Sequence, residues 1–298
     1  MLRTCRLLLL LVIASVAAVG CRPSDQRTVA TAALRDDFGT VIAFGKAPER
    51  IVSLNPTTTE ILFAIGAGKR LVGRSQYDTF PDSATSVPSL GLALRPNVEA
   101  VIATKPDLVI LYASEDNRPA FDRLRQAGIN TFAFKLDSIE QFRRDTRVLG
   151  RLTGDSVRAN TLVDTVSATL ERVRAATASL PHPTVFLPVW DKPVIAIGGG
   201  SFMSELLEIA GARNVYGAVH TPSVTVAMED VVAKNPDFVM TGAASAAKMR
   251  TTASWQTVPA IHAGHVLVLD LDRTTRPSVQ LGEAAVAIAE LIHPGSVP

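Results

Sequence analysis

Six residues of this chain return in the same order 130 positions further on. Glu99, Val101, Ala103, Pro106, Asp107 and Val109 reappear as Glu229, Val231, Ala233, Pro236, Asp237 and Val239. A second echo, 145 positions apart, pairs Glu60, Leu62 and Gly66 with Glu205, Leu207 and Gly211. Internal repetition on this scale limits the chain to two lobes built on one plan. Short apolar runs read as buried strands at residues 40–44, 50–54, 71–73, 108–111 and 131–134. They return at 184–189, 194–197, 238–241 and 266–270. Helical stretches lie among them, at 58–65 closed by Gly66 and Gly68, at 202–210 ended by Gly211, and at 279–291. Strands alternating with helices imply βαβ units and mostly parallel sheets.

Between the halves the period changes. Ser138 and Gln141 have capping-box spacing, Ile139, Phe142, Leu149 and Leu152 follow at near-helical intervals, and Gly154 ends the helix. Asp155 or Ser156 then caps a longer helix with an apolar stripe of Ala159, Leu162, Val163, Val166, Leu170 and Val173. It runs to near Ser179, ahead of Pro181 and Pro183. Twenty-five helical residues span about 37 Å, so this segment reads as a rigid rod rather than a floppy linker. Two lobes facing each other across a rod enclose a cleft, and parallel sheets bind ligands beyond the carboxyl ends of their strands.

The first twenty residues read as an address. Two arginines, Arg3 and Arg6, precede an apolar run from Leu7 to Val19 that is broken only by Ser15. Thirteen helical residues rise about 20 Å, short of the ~30 Å hydrocarbon core, which fits a secretory signal. Ala18-Val19-Gly20-Cys21 resembles the lipobox of bacterial lipoproteins, with Ala18 where leucine is usual. The resemblance implies that Cys21 is acylated and becomes the new N-terminus. Cys5 is the only other cysteine and leaves with the signal, so no internal disulfide is possible. Residues 22–37 then form a polar tether. The expected division is 1–20 signal, 21–45 anchored tether and first short strand, 46–140 first lobe, 141–180 connecting helices and 181–298 second lobe. Arg3 and Arg6 are the only charges before Cys21, so the 30 basic against 28 acidic residues become balanced after cleavage. With 47% apolar and 19% charged residues, that balance excludes a disordered chain and gives no basic excess for nucleic acid.

Several motifs together carry a family resemblance. They are Arg50-Ile51-Val52-Ser53-Leu54-Asn55-Pro56 with Thr59-Glu60-Ile61-Leu62-Phe63, then Asn97-Val98-Glu99, Lys105-Pro106-Asp107-Leu108-Val109, Gly150-Arg151-Leu152-Thr153-Gly154 and Gly198-Gly199-Gly200-Ser201-Phe202. In this order and spacing the chain, from about residue 36 to 293, resembles substrate-binding proteins of bacterial ABC importers. The matching group carries cobalamin, haem or ferric siderophores, and the likeness is greatest to the cobalamin binders. It implies an α/β fold of two Rossmann-like lobes with mostly parallel sheets, joined by a single long backbone helix with limited lobe motion. It also implies a ligand between the lobes, no resident cofactor, a monomer, and delivery to a permease dimer. Glu99 and Glu229 match the exposed glutamates that dock into arginine pockets on the two permease subunits. As first-turn helix acids they would also be favoured by the helix dipole. Localisation follows as exported and lipid-anchored, periplasmic or at the cell surface.

Ligand contacts follow from strand ends. Tyr77, Tyr112 and Trp190 stand at carboxyl ends in a chain with only 5% aromatics, where flat rings suit a macrocycle or an aryl ligand. Asp272 and Arg276 match positions that contact the corrinoid in cobalamin binders. Ala93 and Ser223, by spacing, stand where those proteins can carry tryptophans, which keeps haem and siderophores open as ligands. Other constellations are weaker. His262 and His265 flank Gly264 in a turn rather than forming a metal site, and Gly198-Gly199-Gly200 lacks the lysine of a phosphate loop, although its amides could meet an anionic group. Ser245-Ala246-Ala247-Lys248 lacks the companion motifs of penicillin-interacting enzymes, and no Gly-x-Ser-x-Gly elbow occurs. An exported enzyme using the same cleft is the alternative of another class.

Overall fold

The structure, a computed structural model, describes residues 33–43 and 45–297, without the side chain of Asp272. The expected signal, Cys21 and most of the tether lie outside the described residues. β1 (Leu34–Arg35) and β2 (Val41–Ile42) form an antiparallel hairpin.

The first lobe follows as β3 (Ile51–Ser53), α1 (Pro56–Ala64), β4 (Leu71–Arg74), α2 (Val98–Ala103), β5 (Leu108–Tyr112), α3 (Arg118–Gln126) and β6 (Asn130–Phe134). Its sheet has the order β4-β3-β5-β6, and every pairing is parallel. Two connecting helices come next, α4 (Ile139–Thr153) and α5 (Ser156–Thr177). The second lobe opens with β7 (Thr184–Phe186), β8 (Pro188–Asp191), β9 (Val194–Ile197), α6 (Phe202–Ile209), β10 (Arg213–Asn214) and β11 (Ser223–Thr225). It continues with α7 (Met228–Lys234), β12 (Phe238–Thr241), α8 (Ala243–Thr251), α9 (Ala253–Gln256) and α10 (Pro259–His262). It ends with β13 (Val266–Val268), α11 (Leu271–Thr274) and α12 (Leu281–Ile292). Its parallel sheet is ordered β10-β7-β12-β13.

The repeat has a structural cause in both lobes. Asp107 accepts hydrogen bonds from the Glu49 and Arg50 amides at 2.8 and 2.9 Å, which anchors the start of β3. Asp237 accepts from the Thr184 amide and hydroxyl at 2.7 and 2.8 Å, at the start of β7. The turn before each aspartate needs one left-handed residue, Lys105 (φ 51°) or Asn235 (φ 43°). The second echo is a shared helix ending. Gly66 and Gly211 are left-handed, at φ 85° and 76°. The next amides reach back to Leu62 and Leu207 at 2.7 and 2.9 Å, a Schellman motif in each lobe.

Each parallel sheet is covered on both faces, which explains its near-continuous apolar strands. Val52, Val109 and Leu111 face an outer cluster with Val101 and Phe121. Phe186 and Val239 face a corresponding one with Val231 and Trp255. The alternate residues, Ile51, Leu108, Ile110 and Phe132 in one lobe and Val185 and Met240 in the other, belong to a single core. That core runs through Phe142, Leu149, Val166, Leu170 and Val173 of α4 and α5 to Ile288 and Ala289 of α12. The lobes are therefore joined by continuous apolar packing as well as by the rod. A shared apolar interface of this kind opposes free domain motion.

Several boundaries differ from the sequence reading. The first helix begins at Pro56, because the Asn55 side chain caps it by accepting the Thr57 amide at 3.0 Å. The rod has 22 residues, about 33 Å, and ends at Thr177. Ser138 accepts the Gln141 amide at 3.1 Å, but Gln141 returns its bond to the Asp137 amide, one residue before the cap. The run 184–189 is two strands. Phe186 ends the parallel one, and Pro188, which has no amide to donate, opens an antiparallel hairpin with β9. With β11 this forms a second, antiparallel sheet that the sequence reading lacks, as it lacks the short helices of residues 243–274. The strand at 266–270 stops at Val268.

Candidate functional site

The carboxyl edges of the two parallel sheets meet. Glu60, on the helix that leaves the carboxyl end of β3, accepts a hydrogen bond from Arg276 Nε at 3.3 Å, and Arg276 lies beyond the carboxyl end of β13. This contact between residues 216 apart places the edge of one lobe against the edge of the other.

The first lobe's edge is polar beneath and apolar on top. Thr58 donates to the Asn55 carbonyl at 2.9 Å and shares a 2.7 Å hydroxyl contact with Ser53. Thr59 donates to Asp78 Oδ2 at 2.5 Å, and the Ser75 hydroxyl donates to Asp78 Oδ1. Burial pushes both Asp78 and Glu60 above the usual carboxylate range. Ser75 and Thr59 oppose this at Asp78, Ser278 and Arg276 oppose it at Glu60, and the Asp78 carboxyl reinforces it at Glu60. Asn55 Nδ2 and Ser114 Oγ are buried at this edge without a partner among the described residues.

Above this layer, large apolar side chains stand exposed. Tyr77 (51%), Phe80, Leu92 and Leu94 come from the segment after β4. Ser89 bridges Arg74 in parallel, so this segment leaves the sheet twice beyond its carboxyl end. Asn117 pins the second passage by donating to the Ala93 carbonyl and accepting from the Arg95 amide, at 3.2 and 3.0 Å. The second lobe contributes Val189, Trp190 (60%), Val268 and Leu271. Val189 and Trp190 are both exposed because a bulge between Pro188 and Trp190 inserts one extra residue into the β8–β9 ladder. Large apolar side chains left exposed beyond the carboxyl ends of both sheets are candidates for ligand contact.

The expected ligand residues divide. Tyr77 is exposed at the edge. Trp190 is exposed too, but on the β8–β9 hairpin rather than at the end of the first strand, with its indole N–H donating to the Lys192 carbonyl at 3.0 Å. Tyr112 ends β5, but its hydroxyl is committed to Asp137 at 2.7 Å, and burial plus that carboxylate push it well above the ordinary tyrosine range. Arg276 is at the edge, held by Glu60. The side chain of Asp272 lies outside the described residues. The Gly198-Gly199-Gly200 amides are not open to an anion: they donate to the carbonyls of Pro222, Val219 and Thr221 at 3.0, 2.7 and 3.2 Å. The glycines are there for close backbone approach, since a Cβ on Gly199 would lie 2.0 Å from the Gly217 carbonyl oxygen. Ala93 is half-buried and Ser223 is exposed on β11.

Glu99 and Glu229 occupy the first turns of α2 and α7, the equivalent helices entering β5 and β12. In a βαβ unit the helix runs antiparallel to the strands, so both glutamates lie on the edge where the lobes meet. Both are exposed. Glu99 accepts from Arg123 at 2.7 Å across the surface, an arrangement typically worth ~0.2–1 kcal/mol.

Sequence reasoning missed Glu60 and Asp78 as site residues. Glu60 carried a signal, an acid within the apolar run Thr59-Glu60-Ile61-Leu62-Phe63 that recurs as Glu205. A groove of about 570 Å³ also occurs at the opposite, amino edge of the second sheet, between Pro183, Asp237 and His265. There Asp237 is engaged by Thr184, and His265 lies on the Phe238 ring at 5.7 Å. No cluster of three or more metal-ligating side chains occurs among the described residues, and none of their helices is long and apolar enough to cross a membrane.

A family model described as periplasmic binding protein matches residues 51–272. A Bacillus subtilis protein named as an ABC transporter substrate-binding lipoprotein is 29% identical over 95% of both chains. A cobalamin-binding protein of Halobacterium salinarum is 30% identical over 87% of this chain and 73% of its own. Among solved structures, the periplasmic vitamin B12 binding protein BtuF of Vibrio cholerae superposes with a TM-score of 0.72. It is 24% identical and covers 82% of this chain and 96% of its own. This likeness establishes the two-lobed fold.

Proposed function

The chain belongs to the periplasmic binding protein family, and on that footing we propose that it is a lipid-anchored receptor that takes a corrinoid between its lobes and hands it to the permease dimer of an ABC importer. The observation that supports the ligand class is the exposed apolar surface of Tyr77, Phe80, Leu92 and Leu94 on one lobe, with Val189 and Trp190 on the other. A large, flat-faced chelate covers surface of this kind, and a small polar solute would leave it wet. The relatives named above are binding proteins rather than enzymes, and no support arises for an exported enzyme.

Membership of the family places the protein outside the cytoplasm. In this reading acylation of Cys21 supplies the anchor, in keeping with the lipoprotein named among the relatives, and Glu99 with Glu229 meet two equivalent basic pockets. Haem is the second reading. Ala93 and Ser223 favour it, because the large rings that the family resemblance places there in cobalamin binders are missing.

The test is calorimetry and absorbance with cyanocobalamin, haemin and ferrichrome. Cyanocobalamin is expected to bind with micromolar affinity or better, about −8 kcal/mol, and Trp190→Ala to weaken it at least about tenfold. Tighter binding of haemin transfers the assignment to haem. No response to any of the three overturns the ligand class.

A further inference from the structure

Glu60 is a buried acid whose basic partner belongs to the other lobe. Its side chain is 1% exposed, and Arg276, which is 29% exposed, reaches it from beyond α11. The other groups that act on it are buried too: Asp78 of the first lobe and Ser278 of the second are each 1% exposed. A carboxylate in such a place is tolerated only beside a partner. The groups that act on it come from both sides. Arg276 and Ser278 favour its charged form, Asp78 from the segment after β4 opposes it, and Arg74 acts in turn on Asp78. The repeat adds a second observation. Glu205, the counterpart of Glu60 on α6, feels Arg143 of α4 and Arg174 of α5. Both repeated glutamates thus face a charge outside their own lobe, one across the cleft and one on the connecting helices.

We propose that Glu60 is a positioning residue of the cleft: by holding Arg276, its carboxylate fixes loop 275–280 of the second lobe against α1 and so sets the spacing of the two carboxyl edges. The inference uses the cleft of the proposed receptor but not the identity of its ligand. Breaking the pair leaves the shared core and the outer cluster of each lobe intact, so the spacing changes at the cleft while the lobes stay folded. Protonation acts the same way. Burial holds the Glu60 carboxyl above its ordinary range, so as the pH falls through that raised value the attraction for Arg276 is lost. The fold is not weakened in the process, because a buried charge has been removed.

The experiment measures lobe spacing without ligand. Spin labels on Ser83→Cys and Ser245→Cys, both exposed and one on each lobe, are placed in the full chain with Cys5→Ser and Cys21→Ser. Distances are read by double electron–electron resonance from pH 8 down to about pH 4. The parent should give one narrow distribution at pH 8 that lengthens and broadens on acidification. Glu60→Gln should show the broad distribution at every pH, with a melting temperature no lower than the parent's. Arg276→Gln should match it, and the double variant should add nothing. A narrow distribution in folded Glu60→Gln, or acid broadening that survives in it, overturns the proposal. If Glu60→Gln fails to fold, Arg276→Gln and the parent's own pH response decide in the same way. Because no ligand is present, a parent that shows this behaviour yet binds none of cyanocobalamin, haemin and ferrichrome overturns the ligand class and leaves the positioning role standing.

Discussion

Asp145 gives the sharpest test of the electrostatics built into the connecting helices. It lies on α4 with its side chain 1% exposed, paired with Arg144, while its second oxygen has no partner among the described residues. Arg144 also binds Asp37 at 2.6 Å, tying the first hairpin to α4. Burial pushes the Asp145 carboxyl from an ordinary 3.8 up to about 7, against the pull of Arg144. Between those values the folded chain keeps a proton that the unfolded chain has released, so stability falls as the pH rises from about 4 to about 7 and is level above that. At ~1.4 kcal/mol per pH unit, the loss is about 4 kcal/mol. Asp145→Asn keeps the shape and removes the titration, and Arg144 still has Asp37. Urea unfolding of the two chains, followed by circular dichroism, should therefore coincide near pH 4. By pH 8 the variant should be more stable, by an amount approaching that figure. Asp36, Glu60, Asp78 and Glu205 are also raised by burial, but they are common to both chains, so the difference isolates Asp145. Parallel pH profiles, or a variant less stable at pH 8, would refute the reasoning.

Three further expectations follow from the same structure. Glu99→Ala combined with Glu229→Ala should abolish uptake of the bound solute in cells while leaving its affinity in solution unchanged; intact uptake removes the docking role. Asp107→Ala and Asp237→Ala each free a strand start from two hydrogen bonds. Each should cost about 1 kcal/mol, at the low end because water reaches both sites. Thr184 holds the Asp237 carboxyl below its usual range, so its contribution is present above about pH 4 and lost as the pH falls through the lowered value, which melting curves at pH 3 and 7 would detect. Gly199→Ala forces the loop carrying Gly217 outward and should lower stability by about 1–3 kcal/mol, measurable by chemical denaturation; an unchanged midpoint would show that the loop yields freely.

Much of this architecture was legible in the amino-acid order. The stripe from Ala159 to Val173 predicted the rod, and its members are buried apart from the partly exposed Leu162. The repeat predicted equivalent halves, and Asp107 with Asp237, and Gly66 with Gly211, do equivalent work in them. These features depend on neighbours within a few residues or on one period of a helix or strand, so the local pattern encodes them. The hairpin at Pro188 was less legible, because apolar runs look alike whether the next strand is parallel or antiparallel.

The two halves, their order of elements and the rod between them were settled by the chain's own periodicity and repeats. Folding in three dimensions decided where those halves touch. It placed Arg276 on Glu60 across 216 positions, closed the Gly198–Gly200 amides with the carbonyls of residues 219–222, and merged the two inner sheet faces into one core. Such contacts depend on how finished elements pack, and no short window of sequence records the distance between two surfaces that meet only after each has formed.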